Sequence, residues 1–516
     1  MTHPIQGLLD RFGNEACASP AVIANPAKYP CFVRMHDYVD ADVPSSANDD
    51  DRDRKTAIVW DKLRMAQDKL ARAAGIHSSG VCEIDKIDDV VGLYPRFWVE
   101  NKTPSRQWGK SAISDPAKVD DGKFSFTVAT FNTLARGLSS GPADLFPAPF
   151  AREDLAEPFE IYGGFSSVRS PEIVLDFDVR KWRLLHVLLG GGLRDGIDGD
   201  SGATAHHWSR PAYDILALEE VDEYNSFFRP LLLNDVDVTE EDRTTERFHF
   251  INGYHGVFQP KPHSPCIPLG WYSDGVALFW NPDKFQTIAR PSSLENHDAD
   301  DIVTWIERGS FDGKLQDCDH DEINISNLRN QVYVIVPLQL KDSDKCLVVA
   351  ATHLKAKKGL HNERIREAQA TELRQRTEKM ASELVKQGRS DVGILIVGDF
   401  NSESNDTSVR CILSQEGRST NCAKWLFQSA YPLQDTDSSR ENSLYTSWKI
   451  RGDEISRRII DYIFYASRST VGEKGGEGLH CTHYLSVPND SEVENDRFPG
   501  FRYPSDHLLI AAKFVY

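Results

Sequence analysis

The sequence predicts an α/β fold, a two-sheet β-sandwich flanked by helices. Three observations predict it. Short β-branched and aromatic runs recur from about residue 122 to the end, helical apolar stripes stand between some of them, and 40% of the 516 residues are hydrophobic. That length and composition can bury a sizeable core. A prior of about 150 residues per domain would divide the chain in three. The continuous strand pattern argues instead for one large unit over 122–516, preceded by an N-terminal extension over 1–121.

Residues 1 to about 55 carry no clean periodicity, and DADVPSSANDDDRDR (40–54) has the acidic, Ser-rich composition of a mobile segment. Next, Ile58, Leu63, Met65, Leu70 and Ala73 recur as one helical face that stops at Gly75, so a helix is expected near 56–74. The strand candidates follow in order: FSFTVATFN (124–132), DILALEEV (214–221), GVALFWN (275–281), VYVIVPLQL (332–340), CLVVAATH (346–353), ILIVGDFN (394–401), IIDYIFYA (459–466) and LLIAAKFV (508–515). Between them, VLDFDVRKWRLLHVLL (174–189) and residues 363–388 read as helices, the second with Ile365, Leu373, Met380 and Leu384 as its buried stripe. Segments 190–209 and 291–327 interrupt the pattern and read as surface insertions.

Lys and Arg total 59 against 78 Asp and Glu, a formal net charge of −19. Such a field repels polyanions, so any phosphate ligand needs a local basic cluster. Nine scattered cysteines without a CxxC pair suit a reducing compartment better than a disulfide framework. No run approaches the ~20 apolar residues of a membrane span. The first 30 residues have neither the charged head nor the apolar stretch of a secretory signal. A cytoplasmic location is expected, with a mitochondrial one as the alternative; the sequence is silent on oligomeric state.

The strands end in an unusual way. ATFN closes on Asn132, LALEE on Glu219 and Glu220, VVAATH on His353, and GDFN on Asp399 and Asn401. Residues i and i+2 of a strand share a face, which would set Asp399 beside Asn401. Singly, each could be a strand-end polar group meeting solvent. Together with Asp461 inside IIDYIFY and the Asp506-His507 pair they form a set. A buried Asp in an aromatic strand needs a partner to offset its desolvation, and His507 is the natural one.

Metal-assisted attack of water on a phosphate ester demands these residue types. Mg²⁺ prefers hard oxygen ligands and keeps several waters, so one or two carboxylates suffice; Glu220 is the best ligand, with Mn²⁺ as the alternative ion. The water needs a base and the phosphoryl group needs donors. Asp399 can be that base, Asn401 and His507 can donate, and Asp461 can orient and charge His507. Lys355 and Lys357 lie just beyond His353, Lys449 and Arg451 just before the Asp461 strand. Each i, i+2 pair is expected to present two cations to one side.

The ordered motifs FNTLA, LEEVD, THLKAK, GDFNSE, IDYIFY and YPSDH resemble those of the endonuclease/exonuclease/phosphatase superfamily, from about residue 122 to 516. Within it the chain resembles the deadenylase-like branch and the nocturnin family in particular. The features that carry this are EVDEYNSFFRPLL (220–232), GVFQPKPHSPC (256–266), DGVALFW (274–280), YTSWKIR (445–451) and RFPGFRYPSDH (497–507); YPRFWVENKTPSRQW (94–108) extends it upstream more weakly. The resemblance implies Asn132 and Glu220 at metal and phosphate, Asp399 with Asn401 at the attacking water, and Asp461 with His507 as a polarised pair. It also implies His353 as a phosphate contact and Lys261, Lys355, Lys357, Lys449 and Arg451 as substrate-binding cations. Glu219 stands where the family usually has Gln, and Lys357 where nocturnins usually have Arg. Strand alternation would turn Glu219 away from the site.

Three readings of function compete. The resemblance to nocturnins implies a phosphatase that removes the 2′-phosphate of NADP(H). The wider branch implies a 3′ exoribonuclease on poly(A), and a non-catalytic RNA-associated scaffold is the third. The intact polar set argues against the scaffold. Acidity favours NADP(H), since an RNA enzyme gains from a long basic track whereas a dinucleotide needs a short pocket. Nor do residues 1–121 show the leucine-rich period that docks deadenylases into their complex.

Overall fold

The computed structural model describes residues 49–75, 91–101, 124–139, 162–165, 167–194, 212–233, 253–267, 271–289, 305–311, 329–389, 391–414, 424–433, 443–469 and 478–516. In chain order its strands are β1 (Arg96–Glu100), β2 (Ser125–Asn132), β3 (Leu193–Arg194), β4 (Ile215–Glu219), β5 (His255–Pro260), β6 (Gly275–Trp280), β7 (Phe285–Thr287) and β8 (Glu307–Ser310). There follow β9 (Val332–Leu340), β10 (Cys346–His353), β11 (Val392–Asp399), β12 (Lys424–Ser429), β13 (Ser447–Arg451), β14 (Glu454–Arg458), β15 (Asp461–Ser469), β16 (His480–Leu485) and β17 (Ile510–Val515). Among the described residues one sheet has the order β3-β1-β16-β17-β2-β4-β6-β5, the other β12-β15-β11-β10-β9-β7 with β8 also on β9, and β13-β14 is a separate hairpin.

Strand alternation explains the layers. Phe126 and Val128 of β2, Ile215 and Ala217 of β4, Leu347, Val349 and Ala351 of β10, Leu395 and Val397 of β11 and Ile463 of β15 meet in the core between the sheets. Each fully buried Val, Leu or Ile there contributes about 1.5–3 kcal/mol. Their odd-numbered or even-numbered neighbours face outward. Ile394, Ile396 and Val348 pack on the helix Leu360–Lys386. Ala129, Phe131 and Leu216 pack on the helices Asp49–Ala73 and Phe177–Leu188. The architecture is the expected helix-flanked sandwich of two sheets.

Several local expectations change. The first helix begins at Asp49, so Asp49–Arg54 of the acidic segment expected to be mobile are helical; the rest of 40–54 lies outside the described residues. Its buried face is Val59, Leu63, Ala66, Leu70 and Ala71, while Met65 is exposed. Residues 58, 63 and 65 cannot share one face at 100° per residue, whereas 59, 63, 66 and 70 do. Strand β1 pairs with β16, so the sandwich takes in residues upstream of 122. The segment 291–327, expected as an insertion, contributes β8 and buried Trp305 and Phe311; 291–304 and 312–327 lie outside the described residues, as does most of 190–209. No helix among the described residues is long and apolar enough to cross a membrane.

Candidate active site

Following the same alternation to the strand ends places the polar residues. Parity with the inward aliphatics turns Asn132 of β2, Glu219 of β4, His353 of β10, Asp399 of β11 and Asp461 of β15 into the gap between the sheets. Register then aligns them: His353 pairs with Asp399 and Asp399 with Asp461, a row across three strands. On the facing sheet Asn132 pairs with Glu219. One hydrogen bond joins the rows, Asn132 Nδ2 donating to Asp399 Oδ2 at 3.1 Å.

His507 arrives from the loop before β17 and is bridged to Ser447 of β13. Its Nδ1 donates to both carboxylate oxygens of Asp461, at 3.1 and 3.0 Å, and its Nε2 lies 3.9 Å from Asp399 Oδ2. Burial opposes charge on this imidazole, but Asp461, Asp506 and Asp399 outweigh it and raise its pKa to about 9. Asp399 moves the same way, to about 6, because burial and the neighbouring Asp461 disfavour its ionised form. The two groups are thus an anion and a cation at neutral pH.

His353 has the opposite character. Burial, with Lys261, His507 and Lys449 nearby, pushes its pKa well down. Asn401 Nδ2 donates to Leu354 O at 3.1 Å, which orients the amide and makes its contact with His353 Nε2, 3.0 Å, a second donation. Nε2 is therefore an acceptor and the proton sits on Nδ1, which has no hydrogen-bond partner among the described residues. Nε2 also lies 3.6 Å from Asp399 Oδ2 and 3.9 Å from Glu220 Oε1.

Strand alternation fails just beyond the strand ends. Leu134, Glu220, Lys357 and Asn401 all have φ between 52 and 83°, four of the seven non-glycine residues in that left-handed region among those described. Such conformations cost about 1–3 kcal/mol each and cluster where a site over-determines them. Asn401 therefore reaches Asp399 through a turn, its own N–H donating to Asp399 Oδ1 at 2.8 Å, and not as a strand neighbour. The kink at Glu220 brings both glutamates of LALEE to the site. Glu219, expected to face away, points between the sheets and accepts from Thr130 Oγ1 at 2.6 Å. Burial, together with Asp461 and Asp399, raises its pKa well above the ordinary value. Glu220 keeps one weak contact, accepting from Ala135 N at 3.3 Å.

The cations divide into two kinds. Lys261 is buried on Asp274 at 2.5 Å, and Lys449 lies 2.5 Å from Asp506, the residue before His507. Burial resists that charge on Asp506, but Lys449, His507 and Arg451 together depress its pKa far below the carboxylate range. Arg451 Nε donates to Gly163 O at 2.6 Å, with its guanidinium over the Phe165 ring. Lys355 and Lys357 carry no ion pair among the described residues. Partial burial, with Lys357 and Lys261 as like charges, lowers the pKa of the Lys355 ammonium. Sequence reasoning assigned no role to Asp274 or Asp506 as counterions. The available signals were an acid opening DGVALFW and another beside His507. His263 and His361 are exposed loop and helix-start histidines, while His206 and His207 lie outside the described residues.

The donor set suits a hard divalent cation. Glu220 offers a carboxylate only 15% exposed with little other engagement, one of its oxygens 3.9 Å from His353 Nε2. Asp399, Asp461 and His507 also present ligand atoms within 4.8 Å of one another, although His507 Nδ1 is already committed to Asp461.

Comparison with known proteins supplies the rest. The model of the endonuclease/exonuclease/phosphatase family matches residues 180–507. Nocturnin of Mus musculus is 30% identical over 305 residues, 59% of this chain and 55% of that protein. The chain thus spans about half the length of that relative. A probable CCR4-Not complex 3′-5′-exoribonuclease subunit Ccr4 from Vairimorpha ceranae (strain BRL01) is 24% identical over 367 residues, 69% of this chain and 62% of that protein. Among solved structures, the human nocturnin catalytic domain with bound sulfate is similar at 23% identity and a TM-score of 0.43, over 76% of this chain and 94% of that one.

Proposed function

Since the chain belongs to the endonuclease/exonuclease/phosphatase family, we propose that it is a magnesium-dependent phosphoric ester hydrolase whose substrate is NADP(H), cleaved at the 2′-phosphate to NAD(H) and inorganic phosphate. The observation that supports a dinucleotide over RNA is the distribution of positive charge. Two of the five candidate cations, Lys261 and Lys449, are neutralised by Asp274 and Asp506, and Arg451 is turned onto Gly163 and Phe165. Among the described residues that leaves Lys355 and Lys357 without an ion pair, on a chain of net charge −19. Such a pair can grip a few phosphates, and among the described residues these cations form no long track for a polyanion.

Glu220 would hold Mg²⁺, or Mn²⁺ in its place, and the bound ion would supply Lewis-acid polarisation of the phosphoryl oxygen. Asp399, ionised at neutral pH, takes the proton of the attacking water, and Asn132 and Asn401 hold it in position through their bonds at 3.1 and 2.8 Å. His507, cationic and oriented by Asp461, donates from Nε2 to a phosphoryl oxygen. His353 reaches the phosphate only by exchanging its Asn401 bond, and Lys355 and Lys357 grip the remaining phosphates. The catalytic unit takes in β1 and the helix Asp49–Ala73 along with residues 122–516.

The test is purified protein with magnesium against NADPH, NADP⁺ and oligo(A) at matched concentration and salt. Phosphate release from the dinucleotides with little shortening of oligo(A) is expected. Efficient shortening with no phosphate released from either dinucleotide would replace this reading with the poly(A) 3′ exoribonuclease, the activity that the Ccr4 relative's name carries.

A further inference from the structure

The helix Phe177–Leu188 carries a guanidinium into the floor of the site, where the mechanism above gives it nothing to do. Arg180 is 1% exposed. Its Nη1 donates to Thr133 O at 2.7 Å and to Pro504 O at 3.3 Å. Its Nη2 donates to Leu134 O at 2.6 Å and to Ser139 Oγ at 3.1 Å. Nε is buried and has no acceptor among the described residues. All four acceptors are neutral. Burial disfavours its charge, and Asp222, Asp506 and Glu220 are the nearest acids that favour it.

The carbonyls it holds belong to two segments far apart in the chain, the loop after β2 and the loop before β17. Thr133 and Leu134 follow Asn132, and Leu134 N donates back to Asn132 Oδ1 at 3.0 Å, which aims the Asn132 amide NH₂ at Asp399. Pro504 precedes Ser505, whose Oγ donates to Asn132 O at 2.6 Å and accepts from His507 N at 3.2 Å. We propose that Arg180 is a positioning residue of this site, its planar fork locking the loop after β2 to the loop before β17 and so fixing Asn132 relative to His507. The fork matters as well as the charge. Its coplanar terminal nitrogens spread donors over Thr133, Leu134 and Ser139 on one side and Pro504 on the other, whereas a lysine offers donors from a single point. A 1 Å misplacement of a catalytic group can cost about 100-fold in rate.

This rests on the hydrolase reading for its catalytic consequence but not for the coupling itself. Arg180→Lys and Arg180→Met are compared with wild type and with Asp399→Asn by steady-state kinetics, thermal midpoint and amide hydrogen exchange. In Arg180→Lys, kcat is expected to fall roughly 10- to 100-fold with KM within about threefold, while the protein stays folded. The amides of 133–135 and 505–508 should exchange faster together. Arg180→Met should be worse in kcat, so that Lys rescues in part. Folded Arg180→Lys with kcat within twofold of wild type overturns the proposal, as does faster exchange in one loop only. Should Arg180→Met fail to fold, Arg180→Lys alone decides by the same two readouts. If wild type turns over none of NADPH, NADP⁺ and oligo(A), the function reading fails, and the exchange data still decide for or against the coupling.

Discussion

Asp461→Asn tests the electrostatics of the site most directly. The carboxylate of Asp461 lies 3.0 Å from His507 Nδ1 and is the largest influence that raises the histidine, whose pKa reaches about 9 from an ordinary 6.5. A rise of that size corresponds to roughly 3 kcal/mol favouring the imidazolium, at about 1.4 kcal/mol per unit. Asn keeps the shape and can still accept from Nδ1–H, but it removes the charge. His507 should then titrate well below 9, toward its ordinary value, since burial still opposes the cation and only Asp506 and Asp399 still favour it. At pH 7.5 a group titrating near 9 is roughly 97% protonated and one near 6.5 roughly 9%. Loss of the charged donor alone therefore predicts about a tenfold fall in kcat at pH 7.5, with loss of orientation added. The assay is a pH–rate profile of kcat from pH 5 to 10. Wild type should be bell-shaped, its acidic limb near the Asp399 value of about 6 and its basic limb near 9. The variant's basic limb should move down by two units or more, so that its relative activity improves as pH falls toward 6.5. A variant with a lower plateau and an unmoved basic limb would refute the assignment of His507 as the cationic donor.

Asp399→Asn should lower kcat by roughly two to four orders of magnitude, the worth of a positioned general base, with substrate affinity retained in equilibrium binding. Glu220→Gln should lose turnover while keeping its thermal midpoint, and wild type should lose activity in excess chelator; full activity there would remove the metal from the mechanism. Lys355→Glu should raise KM more than it lowers kcat if, as proposed, its ammonium grips phosphates remote from the bond that breaks. Glu219→Gln addresses stability. A carboxyl whose folded pKa is raised has its stabilising contribution in full below the unfolded value and loses it as pH rises through the folded one. Gln does not titrate, so the midpoint of the variant minus that of wild type should grow from pH 5 to pH 8; a difference that shrinks would mean that Glu219 is ionised and usefully paired.

Much of the fold was legible because it is written in short periods. The eight strand candidates are all strands, with ends that differ by a few residues, since β-branched runs are buried on both faces whatever they pack against. The helix Leu360–Lys386 buries Ile365, Leu373, Met380 and Leu384 as the stripe requires. The polar strand ends were legible for the same reason, as chemistry that a core does not tolerate without cause. Where the backbone leaves its regular conformation, local rules stopped working. At Glu220, Asn401 and Lys357 a positive φ breaks the two-residue period, and Glu219, read as facing away, is directed inward by its parity with Ile215 and Ala217. Asn132 and Asp399, 267 residues apart, meet because the stacked sheets bring the end of β2 against the end of β11. Asp274 and Asp506 neutralise lysines that sequence had offered whole to the substrate, and Arg180 ties two loops more than 300 residues apart in the chain. The sequence by itself determined which segments form strands and helices and which side chains could carry chemistry, because hydrophobic period and functional group belong to each residue. Only the tertiary structure decided which of those groups face one another, because charge, desolvation and hydrogen bonding are properties of neighbours, and these neighbours are distant in the chain.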